Sequence, residues 1–367
     1  MPISVCADVS SPPAILMLLT DGPGAGGGIA RYNTDLIEAL SEVPAAPRVL
    51  IVCRHGQPGT PTPANVGMVR QQAGRLAFAW AALLLALRLP PGSWVFCGHL
   101  HFAPLARWLC WWLGLRCWLQ VHGIEAWERP SAPRRRALEA CDLVTAVSRH
   151  TRRRVLAWAA LPPARVCVVP NTVAEQFRPS PTPVVRDTAA PRILLTVGRL
   201  HPDEAYKGQD RIIRLLPALV EAVGSLRYRI AGSGGDQTRL ERLALASGVA
   251  GLVEFLGAVP ASQLPALYAE ADLFAMPSTG EGFGISFLEA MACGTPALGL
   301  DGDGSVDPLA DGALGTVCAE VDLFESLRAA LLRPVERSLL SARVHARFGR
   351  AAFQHAVRLC LRRMASA

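Results

Sequence analysis

The sequence predicts an α/β protein of two domains, each built on a parallel sheet. The chain has 367 residues, more than one hydrophobic core usually supports. Hydrophobic residues make up 51% of it and charged residues only 18%, a composition that excludes a disordered protein. Two stretches, beginning at Ala14 and at Arg192, each pass from an apolar run through a glycine-bearing turn into a helical pattern. This succession is typical of Rossmann-like domains.

The first domain is predicted to span residues 14–178. Apolar runs predict four of its strands, at Ala14–Leu19, Arg48–Cys53, Trp94–Cys97 and Cys117–Val121. The first strand leads into a turn that holds Gly26, Gly27 and Gly28 and precedes an amphipathic helix. Glycines let the backbone approach a ligand closely, and a helix N-terminus favours negative charge. A dinucleotide-binding turn and a purely structural turn have the same pattern and stay open at this point.

Two helical stretches of this domain are strongly apolar. Leu76–Leu87 is an unbroken apolar run, too short for a bilayer, which takes about 20 residues, so it predicts a buried helix. Leu100–Leu115 carries Trp108, Trp111 and Trp112 in a helical pattern. Such a stripe usually belongs to a core, and contact with a membrane interface is the alternative.

The net positive charge of the chain comes from its first half. Residues 1–190 hold 19 Arg and 11 acidic residues, whereas residues 191–367 hold 18 basic and 19 acidic residues. The runs Arg134–Arg136 and Arg152–Arg154 are typical of solvated helix faces. Together with the charge asymmetry they favour peripheral contact with an anionic membrane surface. A phosphorylated acceptor is a second candidate, and no nucleic-acid partner is expected.

Cysteine usage and the N-terminus favour a cytoplasmic protein. Ten cysteines are scattered from Cys6 to Cys360 without a CxxC pair, which is typical of reduced thiols rather than a disulfide framework or a zinc site. The first residues, MPISVCADVSSPP, have no basic residue before the apolar segment, so no signal peptide is expected. The predicted location is the cytoplasm, with the inner face of the cell membrane as an extension of it.

Residues 179–191, rich in proline, predict a linker, and the second domain is predicted to span residues 192–335. Its first strand ends in Gly198 and Arg199, and Lys207 with Gly208 opens the next helix. Lys207 is the only Lys among 37 basic residues. A compact ammonium is not interchangeable with a guanidinium at a phosphate, so this choice points to a phosphate contact.

Residues Glu281–Pro296, EGFGISFLEAMACGTP, carry the strongest functional signal. An apolar run, ADLFAMPS, predicts a strand before them, and Ile285–Cys293 predicts a helix after the glycine turn. Strand, glycine turn and helix start together offer free backbone N–H groups to an anion. Glu281 and Glu289 flank this turn, and such a pair suits a ligand with both hydroxyls and phosphates, such as a sugar nucleotide. The alternative is an ordinary strand–turn–helix unit with incidental acids.

His122 and Gly123 follow the predicted strand Cys117–Val121. They therefore lie at its carboxyl end, where open α/β sheets bind ligands. A lone histidine is more often structural. Residues 336–363 predict a terminal helix.

These motifs, in this order, resemble those of the family-4 glycosyltransferases. The resemblance rests on HG at His122, GR at Arg199, KG at Lys207, and the two acids Glu281 and Glu289 separated by seven residues that include GFG. It implies the GT-B fold, in which two Rossmann-like domains face each other across a cleft and a C-terminal helix crosses back to the first domain. It covers roughly residues 14–330. Two positions depart from the family pattern: Thr172 replaces a usual Gly, and Asp307 replaces a usual Glu.

The resemblance also implies roles for individual residues. The catalytic set is His122 beside the reacting carbon of the donor sugar, Arg199 and Lys207 clamping the diphosphate, and Glu281 on the sugar hydroxyls. Glu289 is expected to hold the ribose. The remaining donor-binding residues are expected to be Gly27, Gly28, Gly232, Gly234, Phe283, Gly284, Ile285 and Ser286. No metal and no other cofactor are expected.

The expected function is that of a retaining glycosyltransferase. It would move a hexose from a UDP- or GDP-linked donor to an acceptor hydroxyl, on a saccharide or a lipid-linked saccharide of envelope or exopolysaccharide synthesis. Three alternatives remain. One is a non-catalytic nucleotide-sugar-binding partner of a transferase, and another is a sugar-nucleotide epimerase. The third is an NADP-dependent oxidoreductase, which rests on the first glycine turn and on Arg54, placed to suit a 2′-phosphate.

Overall fold

The computed structural model describes residues 13–57, 59–180 and 190–366. The chain divides into two compact units. The first holds the described residues up to Ala146, Arg152–Val169 and the described residues from Gln354 onward, and the second holds Val147–Thr151 and Pro170–Phe353. The segment that bears on a signal peptide and most of the predicted linker lie outside the described residues.

The first unit contains a seven-stranded parallel sheet in the order β3-β2-β1-β4-β5-β6-β7. The interior strand β1 pairs Ile15 with Val49 on one side and with Trp94 on the other. All four strands predicted for this domain form. The strands are β1 Ala14–Asp21, β2 Arg48–His55, β3 Val66–Gln71, β4 Trp94–Cys97, β5 Arg116–Val121, β6 Leu143–Ala146 and β7 Val166–Val168.

Helices connect these strands as crossovers of a parallel sheet require. They are α1 Gly28–Ser41, α2 Arg75–Ala86, α3 Ala103–Leu113, α4 Ala132–Glu139 and α5 Arg149–Trp158. The helices α2, α3 and α4 share one hydrophobic core with β1, β4 and β5. The helices therefore cover one side of the sheet, whereas α1 returns from β1 to β2 in the opposite direction.

Two of the burial predictions for this domain are wrong. The apolar run Leu76–Leu87 forms a helix as expected, but Leu76 and Trp80 are exposed, because only one face of α2 meets the core. The tryptophans of α3 are also exposed, Trp111 by 77% of its surface. Alanines and Leu109 turn inward in their place. A helical pattern that is apolar on all sides does not indicate which side the sheet will cover.

The second unit contains a six-stranded parallel sheet in the order β10-β9-β8-β11-β12-β13. The strands are β8 Arg192–Val197, β9 Leu226–Ala231, β10 Val253–Gly257, β11 Leu273–Ala275, β12 Ala297–Leu300 and β13 Thr316–Cys318. The order reverses between β8 and β11, and ligands of open α/β sheets bind at such a switch point, beyond the carboxyl ends of the strands.

The helices of the second unit include the two that the glycine turns predict. They are α6 Gln209–Val223, α7 Gln237–Ala246, α8 Leu264–Glu270, α9 Ile285–Ala292, α10 Leu323–Leu332 and α11 Arg337–Phe348. The helix α6 begins directly after Gly208, and α9 begins directly after Gly284, as predicted. Thr172, the departure from the family pattern, donates its hydroxyl to the carbonyl of Phe348 at 2.7 Å and so anchors the end of α11.

The terminal region forms two helices instead of the single predicted one. The helix α11 ends at Phe348, and α12 runs from Arg350 to Ser366. From Gln354 onward α12 belongs to the first unit, where Arg363 donates to the carbonyl of Ala164 at 2.9 Å. The terminal helix thus returns to the first unit as predicted. Nine cysteines among the described residues are free thiols. No helix in the described part of the chain is long and apolar enough to cross a bilayer.

Candidate functional site

Lys207 lies at the centre of the site in the second unit. It is nearly buried, with 11% of its side chain exposed, and follows the turn at the carboxyl end of β8. A methyl group on Gly198 would come within 3.3 Å of its Nζ, so the side chain lies directly against the GR turn. Arg199, the second predicted cation, is 79% exposed. The structure therefore brings both predicted cations to the segment that follows β8.

Glu204 joins the two cations, and it was missed from the sequence. Its Oε2 accepts a hydrogen bond from Lys207 Nζ at 2.5 Å, and its Oε1 forms an ion pair with Arg199. Only 13% of the Glu204 side chain is exposed. Its position three residues before Lys207, within one helical turn, is the signal that would have found it. The carboxylate lies where the cations would meet an anionic ligand.

The predicted glycines of the second unit are required by close backbone packing. Gly232 has a φ of 142°, and a methyl group there would come within 1.9 Å of the Gly198 carbonyl oxygen. At Gly234, φ is 152°, and a methyl group would come within 2.1 Å of the Leu200 oxygen. The turn after β9 thus packs against the turn after β8. These glycines shape the loop that carries Arg199, which is a structural role; a direct ligand contact stays a prediction.

Glu281 lies in a turn that Asp303 holds in place. Asp303 is buried and accepts hydrogen bonds from the backbone N–H of Glu281 at 2.7 Å and from that of Ser305 at 2.8 Å. In return, the Glu281 carbonyl accepts from the N–H of Gly304 at 2.8 Å. The Asp303 carboxylate therefore caps this turn. Among the described residues, no group of three or more His, Cys, Asp or Glu side chains is arranged to hold a metal ion.

Charges of both signs act on the pKa of the Glu281 carboxyl. Burial raises the pKa of the Glu281 carboxyl to about 7, and the Lys207 ammonium opposes that rise. Asp303 and Glu204 raise the pKa further because they are like charges. A perturbed carboxyl beside a cation pair is typical of a functional site.

The start of α9 places backbone donors beside Glu281. Gly284 has a φ of 90° and lets the chain turn sharply into the helix. The N–H of Phe287 donates to the Gly284 carbonyl at 3.2 Å, and the N–H groups before it have no carbonyl four residues back within the helix. Ile285 and Ser286 at this start are partly exposed. Phe283 is buried, and its ring packs edge-on against Phe348 at 6.0 Å. The Phe283 side chain therefore belongs to the core, and its predicted contact with the donor is limited to the backbone.

Glu289 lies one helical turn beyond that start, and its partner is Tyr268. The Tyr268 hydroxyl donates a hydrogen bond to Glu289 Oε2 at 2.9 Å. Tyr268 is buried, and burial with the Glu289 charge raises the pKa of its hydroxyl well above the usual value. The hydroxyl therefore stays protonated and fixes one carboxylate oxygen of Glu289. Sequence reasoning found Glu289 and missed this positioning contact.

His122 lies in the first unit at the carboxyl end of β5, as predicted. Its Nε2 is 3.0 Å from the Gly98 carbonyl oxygen, so that nitrogen carries the proton. Its backbone N–H donates to Glu125 Oε1 at 2.5 Å, and Tyr32 packs edge-on against the ring at 5.3 Å. Burial lowers the pKa of the His122 imidazole, so the ring is neutral near pH 7.

Two further histidines lie beside His122. His99 stacks on His122 with a centroid distance of 6.4 Å, and its Nδ1 is 2.7 Å from Nδ1 of His101. Burial lowers the pKa of His99 to about 4, so this ring is also neutral near pH 7. The three rings form a neutral polar cluster at the end of β4 and β5 that sequence spacing alone did not reveal.

The first glycine turn is open to solvent. Gly26, Gly27 and Gly28 are exposed, and a methyl group on Gly26 or Gly27 would meet no atom within 4 Å. Of these three glycines, only Gly27 has a positive φ, 101°, a backbone conformation that favours glycine. Space above this turn is what ligand approach requires, although it does not identify the ligand. Arg54, the basis of the oxidoreductase alternative, donates to the carbonyl of Ala73 at 2.9 Å.

Asp307, the second departure from the family pattern, binds Arg149. Its Oδ1 pairs with Arg149 Nε at 2.5 Å, and its Oδ2 accepts from the backbone N–H of the same residue. Asp311 pairs with Arg149 Nη2 at 2.8 Å. Together these contacts raise the pKa of Arg149 above its usual value. Asp307 is therefore occupied by a structural ion pair.

Comparison with known proteins agrees with this arrangement. The family model described as Glycosyltransferase Family 4 matches residues 26–177, and the model described as Glycosyl transferases group 1 matches residues 185–353. The chain belongs to the family-4 glycosyltransferases. The two matched segments carry, respectively, the His122 cluster and the turn with Arg199 and Lys207.

One curated relative is a GDP-mannose-dependent alpha-(1-6)-phosphatidylinositol monomannoside mannosyltransferase of Mycolicibacterium smegmatis. It is 36% identical over 194 residues, which cover 50% of this chain and 50% of the relative. The chain thus spans about half the length of the curated relatives it matches.

Solved structures of low sequence identity share the fold. Sucrose-phosphate synthase from Thermosynechococcus elongatus aligns with a TM-score of 0.74 and 20% identity, over 96% of this chain and 99% of that one. The Anabaena protein HepE, solved in complex with UDP and glucose, aligns with a TM-score of 0.72 and 19% identity, over 95% of this chain and 99% of that one. Both likenesses show the GT-B fold of this family-4 chain.

Proposed function

We propose that this protein transfers a hexose from a nucleoside diphosphate sugar to an acceptor hydroxyl, with retention at the anomeric carbon. The proposal rests on the segment after β8, where two cations lie together. The chain's single Lys lies nearly buried against Gly198, and one carboxylate links it to Arg199. Membership of a glycosyltransferase family supports a sugar nucleotide as the anion that this turn receives.

The chemistry required of the site is stabilisation of a leaving group. When the bond between sugar and diphosphate breaks, negative charge gathers on the diphosphate. Lys207, Arg199 and the first-turn N–H groups of α9 are preorganised donors that stabilise this charge, and such donors often supply the largest part of catalysis. Retention follows when the acceptor attacks the face from which the diphosphate departs, and the departing phosphate then takes the acceptor proton.

The two carboxylates take separate parts in donor binding. The charge of Lys207 acts on the Glu281 carboxyl and lowers its pKa. Glu281 is proposed to contact the donor sugar hydroxyls. Glu289, whose one oxygen is fixed by Tyr268, is proposed to accept from the ribose hydroxyls with the other. His122 is proposed to contact the transferred sugar as a neutral imidazole, since its low pKa leaves it uncharged near pH 7.

The proposed acceptor is a saccharide or lipid-linked saccharide, handled at the cytoplasmic face of a membrane. Support comes from the mannosyltransferase relative, whose acceptor is a phosphatidylinositol monomannoside, and from the basic first half of this chain. The proposed donors are UDP- or GDP-linked, because that relative uses GDP-mannose and HepE was solved with UDP. No metal is proposed, because two cations and helix donors already face the expected diphosphate.

A nucleotide screen followed by a transfer assay tests the proposal. Thermal unfolding is measured with UDP, GDP, ADP and CMP, and we expect one of the diphosphates to raise the midpoint. The corresponding sugar nucleotide is then incubated with a lipid extract, and transfer of labelled sugar is measured. Absence of any nucleotide effect contradicts the proposal, while binding without transfer or hydrolysis supports a non-catalytic partner. Enhanced NADPH fluorescence on mixing would instead support the oxidoreductase alternative.

A further inference from the structure

The outer faces of α2 and α3 carry an exposed apolar surface. On α2 and the residue after it, the exposed large apolar side chains recur every three or four positions, so they form one stripe. On α3 the exposed apolar side chains are three tryptophans. We define the tryptophan face as Leu76, Trp80, Leu84, Leu87, Trp108, Trp111 and Trp112, of which Leu76 is 88% exposed and Trp80 63%.

The two stripes point away from the same side of the sheet. The inner residues of α2 and α3 belong to one core, and Phe78 of α2 stacks on Phe102, just before α3, at 4.5 Å. Both helices connect strands that advance in the same direction, from β3 to β4 and from β4 to β5. Crossovers of one hand then place the helices on one face. Their outer sides therefore form a continuous surface.

This surface has an unusual composition for a helix exterior. The only polar residue of α2 is Arg75, so the helix presents no polar side to water. On α3, Trp108 and Trp112 stack on each other at 5.5 Å while both remain exposed. Single exposed apolar residues are ordinary, but a contiguous aromatic patch marks an interaction surface.

The segment of the chain that carries the tryptophan face has basic residues and no acidic ones. Residues 43–124 contain seven Arg and no Asp or Glu. Arg75 and Arg88 are exposed at the two ends of α2, and Arg107 is exposed on α3. A second copy of this chain, packed face to face, would oppose these arginines to arginines, and residues 43–124 supply no carboxylate to pair them. An anionic surface is the complementary occupant.

We infer that the tryptophan face docks the protein on an anionic lipid bilayer. Indole rings prefer the headgroup region, where their apolar body is buried and their N–H stays hydrated. The flanking arginines reach anionic headgroups, and leucines of α2 enter the acyl boundary. The inference rests on this surface alone. Most residues proposed to bind the donor belong to the other unit, and Gly27, Gly28 and His122 lie outside α2 and α3, so vesicle binding and donor binding can fail separately.

The Arg152–Arg154 run is not part of this surface. Arg152 donates to the carbonyls of Val166 and Pro163, at 2.8 Å and 3.0 Å, and Arg154 donates to that of Trp127 at 3.2 Å. These guanidinium groups hold loops of their own unit. The expected contact with lipid therefore moves from the run predicted by sequence to the tryptophan face.

Vesicle binding of a tryptophan variant tests the inference. The variant combines Trp80→Ser and Trp111→Ser, and its matched control is Leu245→Ser, a residue 72% exposed on α7. We expect phosphatidylglycerol vesicles to bind the wild type and the control alike, and the variant about tenfold or more weakly. Unchanged unfolding midpoints and nucleotide binding establish that the variant folds. Equal vesicle binding by variant and wild type would overturn the inference.

Charge and insertion are tested separately. Replacing Arg75 and Arg88 by Gln should weaken vesicle binding and flatten its salt dependence, whereas Arg242→Gln on α7 should change neither. Wild-type tryptophan fluorescence should shift to shorter wavelength with vesicles and be quenched by brominated acyl chains. No shift and no quenching would overturn insertion. A dimer in sedimentation that dissociates in the tryptophan variant would assign this face to a second copy instead.

Discussion

Glu204 and Lys207 form a close ion pair in the turn after β8, with 2.5 Å between Oε2 and Nζ. Both side chains are largely buried, and Glu204 pairs with Arg199 as well. The carboxylate thus compensates two cations that would otherwise lie together unneutralised. In the proposed site, a diphosphate would share the cations with Glu204 or displace it, so we expect this pair to set the electrostatic cost of donor binding.

Glu204→Gln should therefore tighten nucleoside diphosphate binding. The substitution removes a negative charge beside the phosphates and keeps the shape of the side chain. We expect the dissociation constant to fall by about fivefold, equivalent to about 1 kcal/mol, and its salt dependence to steepen because more net positive charge faces the ligand. Isothermal titration measures both. Glu241→Gln on α7, outside the turn, is the control, and equal affinities in the two variants would mean that Glu204 does not oppose the ligand.

Substitutions of Glu281 and of Glu289 should affect nucleotide binding and turnover differently. Glu289→Ala should weaken binding of both the nucleotide and the nucleotide sugar, because the ribose belongs to both. Glu281→Ala should leave diphosphate affinity nearly unchanged and reduce turnover. Tyr268→Phe, which removes the hydroxyl that fixes Glu289, should resemble a mild form of Glu289→Ala. The assignment is contradicted when Glu281→Ala and Glu289→Ala lose diphosphate affinity equally.

The pKa of Glu281 predicts a pH dependence of stability. Its folded pKa is about 7, above the ordinary value of 4.5, because of burial. Between these values the folded state binds more protons than the unfolded state, so the free energy of unfolding falls as pH rises from about 4.5 to 7. Chemical unfolding at several pH values should show this component in the wild type and not in Glu281→Gln.

Glu254 provides a control of opposite sign. Hydrogen bonding to Arg227 lowers the pKa of the Glu254 carboxyl below 4.5. Its contribution to stability is therefore present above pH 4.5 and is lost as pH falls through the folded pKa. A Glu254→Gln variant should remove stability at pH 7 and keep the pH component that belongs to Glu281. A pH profile of Glu281→Gln identical to the wild type would contradict the raised pKa.

Most of the fold follows from the sequence because parallel strands buried on both faces are continuous apolar runs. β1, β2, β4 and β5 were found on that signal. β3 was not predicted, because Val66–Gln71 is an edge strand with mostly exposed residues. The break at Gly349 between α11 and α12 was missed for a different reason, since one glycine within a helical pattern is tolerated as often as it ends a helix.

The sequence predicted several residues of the candidate site but not the residues that hydrogen-bond to them. Lys207 was found from the KG motif of the family resemblance, with the support that it is the chain's only Lys. Glu204, Asp303 and Tyr268 are ordinary residue types, and their importance comes from distances of 2.5–2.9 Å that spacing does not reveal. The exposure of Trp111 was missed because periodicity does not identify the buried face of an apolar helix.

Activity should survive removal of divalent metal. Asp301 and Asp303, separated by one glycine, are the acidic pair that could hold a metal. The two carboxylate oxygens of Asp303 accept hydrogen bonds from the backbone N–H groups of Glu281 and Ser305. Turnover in excess EDTA should equal turnover in buffer, and Asp303→Asn should lower the unfolding midpoint by disturbing the Glu281 turn. Activity abolished by EDTA and restored by Mn²⁺ would mean that these aspartates hold a metal and that the diphosphate clamp is misassigned.

Substitution of Lys207 tests the proposed chemistry most directly. A cation beside the leaving diphosphate acts mainly in the transition state, where the bridging bond breaks. Losing one preorganised donor of this kind costs about 3–4 kcal/mol, roughly a hundredfold to a thousandfold in turnover. Lys207→Ala should therefore lose kcat much more than donor affinity, which steady-state kinetics and direct nucleotide titration measure together.

Lys207→Arg distinguishes charge from shape. It keeps the positive charge but replaces a compact ammonium by a planar fork. The ammonium lies so close to Gly198 that an added methyl group there would be 3.3 Å away, which leaves little room for the fork. Lys207→Arg should therefore remain impaired, though less than Lys207→Ala, while Arg214→Lys on α6, whose guanidinium pairs with Asp210, should behave as the wild type. Near wild-type transfer by Lys207→Ala would place the clamp elsewhere and make the single Lys incidental.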